Sequence, residues 1–97
     1  MSQQNGSLTG QGGWLRIDNE GAVAFGRLVA VAQIESAPIK RLIQATQPSH
    51  VVILTGGRKR QTVLVLDSGH LIVSPLTVAE VLVELDEYHQ RLVLLQR

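Results

Sequence analysis

Three consecutive cations, Arg58-Lys59-Arg60, follow the glycine pair Gly56-Gly57 and are the residues of this chain best suited to chemistry with a partner. Neighbouring like charges repel by roughly a few tenths of a kcal/mol each, depending on screening, and a bound anion would relieve that repulsion. The same run also reads as a solvated turn that keeps a sheet edge from pairing with other chains. The residues alone leave both readings open. Arg27, between two predicted strands, and the Lys40-Arg41 pair, on a predicted helix, could join the run in one surface, although nothing in their spacing joins them.

Other chemistry finds no support in the residue pattern. Nucleophilic catalysis needs a nucleophile, a base and an orienting group that converge. Ser36, Ser68 and Ser74 read instead as a helix cap, a turn residue and a strand end, so no catalytic residue is assigned. His50, His70 and His89 share no short ligand spacing and have no cysteine beside them, so no metal site is assigned. His50 and His70 read as strand-end residues, and Asp67 as a turn residue accepting from backbone amides. Glu84, Asp86 and Glu87 read as a solvated helix face. Gly56-Gly57 is not a phosphate-binding loop, because that loop needs a Lys-Ser/Thr pair and a following helix, and here a strand follows.

Composition narrows the class. The chain has 97 residues, no cysteine, 44% hydrophobic residues and a formal net charge of +1. That is one small domain, since domains usually run to ~100–150 residues. It buries only roughly 60–65% of its extended surface, so self-association that hides more apolar area would stabilise it. Without cysteine there is neither a disulfide framework nor a thiol nucleophile. No apolar run reaches the ~18–20 residues of a membrane span, and the N-terminus lacks a secretory pattern, so the reading is cytoplasmic. Residues 14–74 hold seven basic and four acidic side chains (+3), whereas residues 75–97 hold two and four (−2). A basic body with an acidic tail segment points to an anionic partner for the first part.

The elements that must position the cations follow from local pattern. Residues 1–13, with four glycines and one large aliphatic, read as a disordered leader; residues 14–97 read as the single domain. Trp14–Ile17 is a predicted strand, Asp18–Gly21 a turn, and Ala22–Phe25 a further strand. Leu28–Ile34 is apolar nearly throughout, as in a strand covered on both faces. Ser36 is a predicted side-chain cap, with Pro38 in the first turn of a helix whose Ile39, Leu42 and Ile43 share a face. Strands over His50–Leu54, Thr62–Leu66 and His70–Val73, joined by short turns, read as an antiparallel meander. Thr77 and Glu80 form a capping box for a final helix with an apolar stripe from Val78 to Leu95. The fold class is α+β: a small antiparallel sheet of five or six short strands, a mid-chain helix and a C-terminal helix.

With those elements placed, a resemblance becomes visible. Glu35-Ser36-Ala37-Pro38-Ile39-Lys40-Arg41, then Gly57-Arg58-Lys59, then Asp67-Ser68-Gly69-His70-Leu71-Ile72-Val73-Ser74, resemble in order and spacing the RemA family of bacterial matrix-gene regulators. The resemblance covers about residues 15–85. It implies an α+β fold like the LytTR DNA-binding domain, assembled into a closed homo-oligomeric ring, with an octamer-like assembly as one form. It also implies binding to double-stranded DNA upstream of promoters and activation of genes for biofilm matrix and osmoprotection. The family's DNA-contacting arginines fall on Arg27, Arg58 and Lys59. Arg60 adds a charge one place before Gln61, where the family carries its next basic residue, and Lys40 and Arg41 are possible supports.

A lysine at position 59 keeps charge but loses the bidentate fork of arginine, so phosphate contact survives there better than base readout. Repetition of each cationic tip around a ring would turn weak contacts into avid binding. Neither a cofactor nor a small-molecule substrate is expected. Two alternatives stand beside DNA binding: a structural ring that meets an acidic protein, and an RNA-binding ring. The RNA reading is the weaker, because Trp14, Phe25 and Tyr88 are the only aromatic residues besides the histidines.

Overall fold

A computed structural model describes residues 13–95. The leader expected over residues 1–13 lies, apart from Gly13, outside the described residues, as do residues 96 and 97. Among the described residues are six strands and two α-helices: β1 (Trp14–Ile17), β2 (Gly21–Ala24), β3 (Leu28–Gln33), α1 (Ala37–Ala45), β4 (Val51–Ile53), β5 (Thr62–Leu66), β6 (Leu71–Ser74) and α2 (Val78–Leu95). Short 3-10 turns at Phe25–Arg27 and Pro48–His50 lead into β3 and β4. The α+β class and the strand count match the sequence reading.

The strands form two sheets rather than one. β1 and β2 make an antiparallel hairpin. The other four lie in the order β3-β5-β6-β4, and β4 runs parallel to β6, Val51 opposite Leu71 and Ile53 opposite Val73. The expected antiparallel meander is therefore corrected. β5 and β6 are hairpin neighbours, but β4 does not pair with β5. Residues 54–61 cross the end of β6, fastened by Leu54 N–H to the Val73 carbonyl (2.9 Å) and Gln61 N–H to the Ser74 carbonyl (2.9 Å).

Period-2 alternation sorts the side chains of this sheet onto two cores. Val63 of β5 with Leu71 and Val73 of β6 are buried on one face, where Ile39 and Ile43 of α1 cover them. Leu42, expected on the same helix face, is 38% exposed. Leu64 and Ile72 point to the opposite face and meet Leu15 and Ile17 of β1, Val23, Phe25 and Val81 of α2. Phe25 also stacks on Tyr88, centroids 4.8 Å apart. The molecule is thus layered: α1, the four-stranded sheet, then α2 with the small hairpin.

The two helix starts differ. Thr77 and Glu80 close the expected capping box, Thr77 N–H donating to Glu80 Oε1 (2.8 Å) and Glu80 N–H to Thr77 Oγ1 (3.1 Å). Ser36 stands at the cap position of α1 but makes no side-chain capping bond; Pro38 in the first turn removes one amide that would need an acceptor.

β3 is an edge strand, not one covered on both faces. A bulge between Leu28 and Ala30 leaves Val29 as the extra residue, 66% exposed. β4, the other edge, exposes Val52 and Ile53. The stripe on α2 divides as well. Val81 is buried and Leu85 and Tyr88 are partly so, whereas Leu82, Val83 and all of Leu92–Leu95 are exposed. Among the described residues, no helix is long and apolar enough to cross a membrane.

Candidate functional site

The Gly56-Gly57 pair sets the course of the crossover loop. Both glycines have positive φ, +58° and +86°, where side chains with a Cβ are strained. A Cβ on Gly56 would also lie 2.7 Å from the Glu20 carboxylate of the β1–β2 turn. The turn is closed by Arg58 N–H donating to the carbonyl of the buried Thr55 (2.9 Å). Arg58, Lys59 and Arg60 follow it, all exposed, before the chain enters β5. The basic run therefore sits on a crossover loop and not, as expected, in a short turn of an antiparallel meander.

Register places this loop at one end of the main sheet. β3 ends there too, since Gln33 pairs with Thr62, as does β6, whose Ser74 also pairs with Thr62. Lys59 and Arg60 border a cleft of about 200 Å³ shared with Glu35 and Thr77. On the other side of the loop a cleft of about 460 Å³ lies between Arg16, Asp18, Glu20, Gly56 and Arg58. Arg58 forms an ion pair with Asp18. Lys40 of α1 pairs with Glu35 (3.1 Å), and its neighbour Arg41 is exposed. Among the described residues, neither Lys59 nor Arg60 has an ion-pair partner.

Arg27 occupies the opposite end. Leu28 pairs with Leu66, so the four residue steps of β5, roughly 13 Å at ~3.3 Å each, separate it from the loop. The single chain therefore gathers Arg58, Lys59 and Arg60 but keeps Arg27 apart. Arg27 Nη1 lies 3.2 Å from Asp67 Oδ2 in the β5–β6 turn, and Asp67 N–H donates to the Arg27 carbonyl (2.8 Å). Asp67 thus receives a guanidinium N–H, not the backbone amides expected of it. His70 adjoins it, with Nδ1 2.7 Å from Ser68 Oγ and its ring 4.7 Å from that of His50. The two histidines meet because parallel pairing of β4 with β6 brings the positions before both strands side by side.

Sequence reading missed Asp18 and Asp67 as partners of the arginines. Each lies 40 positions from the arginine it meets, and no local pattern signals such a pairing.

Comparison with known proteins places this arrangement in a family. The family model described as RemA-like, extracellular matrix regulatory protein A-like, matches residues 15–84. A "Putative regulatory protein" of Synechococcus sp. (strain JA-2-3B'a(2-13)) is 48% identical over 61 residues, covering 59% of this chain and 68% of that protein. Another so described, from Bacillus cytotoxicus, is 38% identical over 64 residues, covering 65% of this chain and 74% of its own length. The matched span runs from β1 into α2 and takes in Arg27, the Gly56–Arg60 loop and the Asp67–His70 turn. The chain belongs to the RemA-like family of regulatory proteins.

Proposed function

We propose that this protein is a DNA-binding transcriptional regulator that acts as a homo-oligomeric ring and holds duplex DNA mainly by its phosphates. Activation of matrix and osmoprotection genes is the output carried over from the family. The observation that carries the reading is the crossover loop, where Arg58, Lys59 and Arg60 stand exposed at one sheet end and two of the three lack a carboxylate partner among the described residues. Arg27 at the far end adds a second contact. The strand length between them, roughly 13 Å, is of the order of the ~12 Å width of a major groove, so one subunit could touch phosphates on both sides of a groove. Lys40 pairs with Glu35, which borders the same cleft as Lys59 and Arg60, and with the exposed Arg41 is a supporting contact in this reading.

Self-association is supported by what the single chain leaves uncovered. Both edge strands of the main sheet are open, with Val29, Val52 and Ile53 exposed, and burying them in a closed assembly would remove the edges. RNA binding is the weaker reading, because Phe25 and Tyr88 stack on each other beside the core, leaving Trp14, 53% exposed, as the one non-histidine aromatic open to a base.

The test is gel retention of duplex DNA at rising salt. If three engaged subunits each neutralise ~2 phosphates, the log–log slope of affinity against salt is about −5. A slope near zero, or no retention of any duplex in dilute buffer, contradicts the proposal and favours the acidic-protein partner.

A further inference from the structure

Two of the four cations assigned to DNA are already held by carboxylates of their own domain. Asp18, at the tip of the β1–β2 hairpin, takes Arg58, and Asp67, in the β5–β6 turn, takes Arg27. The two pairs lie at opposite ends of the sheet and share no element, yet the same two atoms meet in both. In each, Asp Oδ2 accepts from Nη1 of the arginine. A guanidinium has five N–H donors, so the edge formed by Nε and Nη2 remains open for a two-pronged contact with a phosphate or a base.

We propose that Asp18 and Asp67 are positioning residues that aim Arg58 and Arg27 and thereby set discrimination between target and generic DNA. This inference rests on the DNA-binding reading above. Backbone supports both pairs. Asp67 N–H is bonded to the Arg27 carbonyl, and Arg58 N–H to the Thr55 carbonyl. Asp18 adopts a positive φ of 50°, a conformation uncommon outside glycine that Asp and Asn tolerate better than most residues.

Charge adds a second consequence. A paired arginine contributes little net charge, so it adds little to attraction toward any polyanion. Lys59 and Arg60 carry that general attraction. Arg27 and Arg58 reward only a duplex whose phosphates or base edges reach the open side of a fixed guanidinium. A flexible, unpaired arginine would instead follow whichever phosphate is nearest, strengthening generic binding at the expense of selectivity.

The test uses Asp18→Asn and Asp67→Asn in the full chain, with two probes. One is a duplex that the wild-type protein enriches from a randomised pool; the other is its scrambled counterpart of equal composition. Asn keeps the side-chain size and tolerates the backbone at position 18. The expected result is a ratio of target to scrambled affinity that falls by roughly fivefold per engaged subunit. Assembly mass stays unchanged, the salt slope on the scrambled duplex steepens, and Asp67→Glu recovers part of the ratio. A residue that merely stabilised its turn would weaken both probes alike and leave the ratio unmoved. Retention by the wild type with an unchanged ratio in both variants overturns the positioning role alone. A wild-type protein that enriches and retains no duplex overturns the DNA reading and this inference with it.

Discussion

Replacing Arg58 and Lys59 together by alanine is expected to abolish retention of duplex DNA while the assembly keeps its mass. Both side chains are exposed on the crossover loop and neither contributes to the two apolar cores. Surface substitutions away from caps and cores usually change stability by no more than ~0.5 kcal/mol. Removal of Arg58 leaves Asp18 without its cation, but that carboxylate is itself 39% exposed and water solvates it. The effect on DNA is far larger because it is repeated. Three engaged subunits would together lose ~3 phosphate contacts from Lys59 and the ~3 contacts aimed by Arg58, and avidity multiplies the losses, so affinity falls on the order of a thousandfold or more even with Arg60 in place. Gel retention and light scattering on the same sample separate the two quantities. Normal retention by a variant of unchanged mass would remove the crossover loop from the interface.

The largest expected effect on stability comes from Leu64→Ala. Leu64 is 0% exposed and sits on β5, with β3 on one side and β6 on the other. Its side chain faces Leu15, Ile17, Phe25 and Val81, so the substitution opens a cavity where the sheet meets both the small hairpin and α2. Comparable buried Leu→Ala changes cost about 2.7–5 kcal/mol, with the larger values where the surroundings cannot collapse. Four neighbours from three elements make collapse difficult here. Small domains are stable by only ~5–15 kcal/mol, so the variant approaches its unfolding midpoint in mild denaturant. Urea titration at fixed protein concentration checks this, since self-association of the chain would couple to folding. The midpoint should fall with little change in slope; a loss below ~1 kcal/mol would contradict the packing described.

Local signals were legible in the amino-acid sequence, and long-range pairing was not. The capping box at Thr77 and Glu80 depends on residues three apart and formed as read. The β5–β6 hairpin depends on a tight turn at Asp67-Ser68-Gly69 and likewise formed. Sequence does not place β4, because alternation along a short strand is the same whether its neighbour is β5 or β6. Its connection to β5 spans residues 54–61, longer than the ~2–5 residues of a hairpin loop, and that length is the signal that favoured a crossover. β3 read as buried on both faces because six of the seven residues in Leu28–Ile34 are aliphatic. In the single chain it is an edge, and only a partner could cover Val29.

The candidate site divides along the same line. Arg58-Lys59-Arg60 was visible because its charges are contiguous, and the glycines before it announced a turn. Asp18 and Asp67 read as turn residues, which their positions support. Their carboxylates reach arginines 40 positions away only because the β1–β2 hairpin tip lies beside the crossover loop and β3 begins beside the β5–β6 turn. Contacts of that kind are properties of the assembled sheet order, which no window of sequence encodes.

The most direct measurement is size-exclusion chromatography with light scattering, run on the full chain with and without a promoter-sized duplex in dilute buffer. The chain on its own is expected to elute at a closed multiple of its mass, and added duplex is expected to give a larger, salt-sensitive complex. A particle of single-chain mass whose elution the duplex leaves unchanged would contradict this expectation.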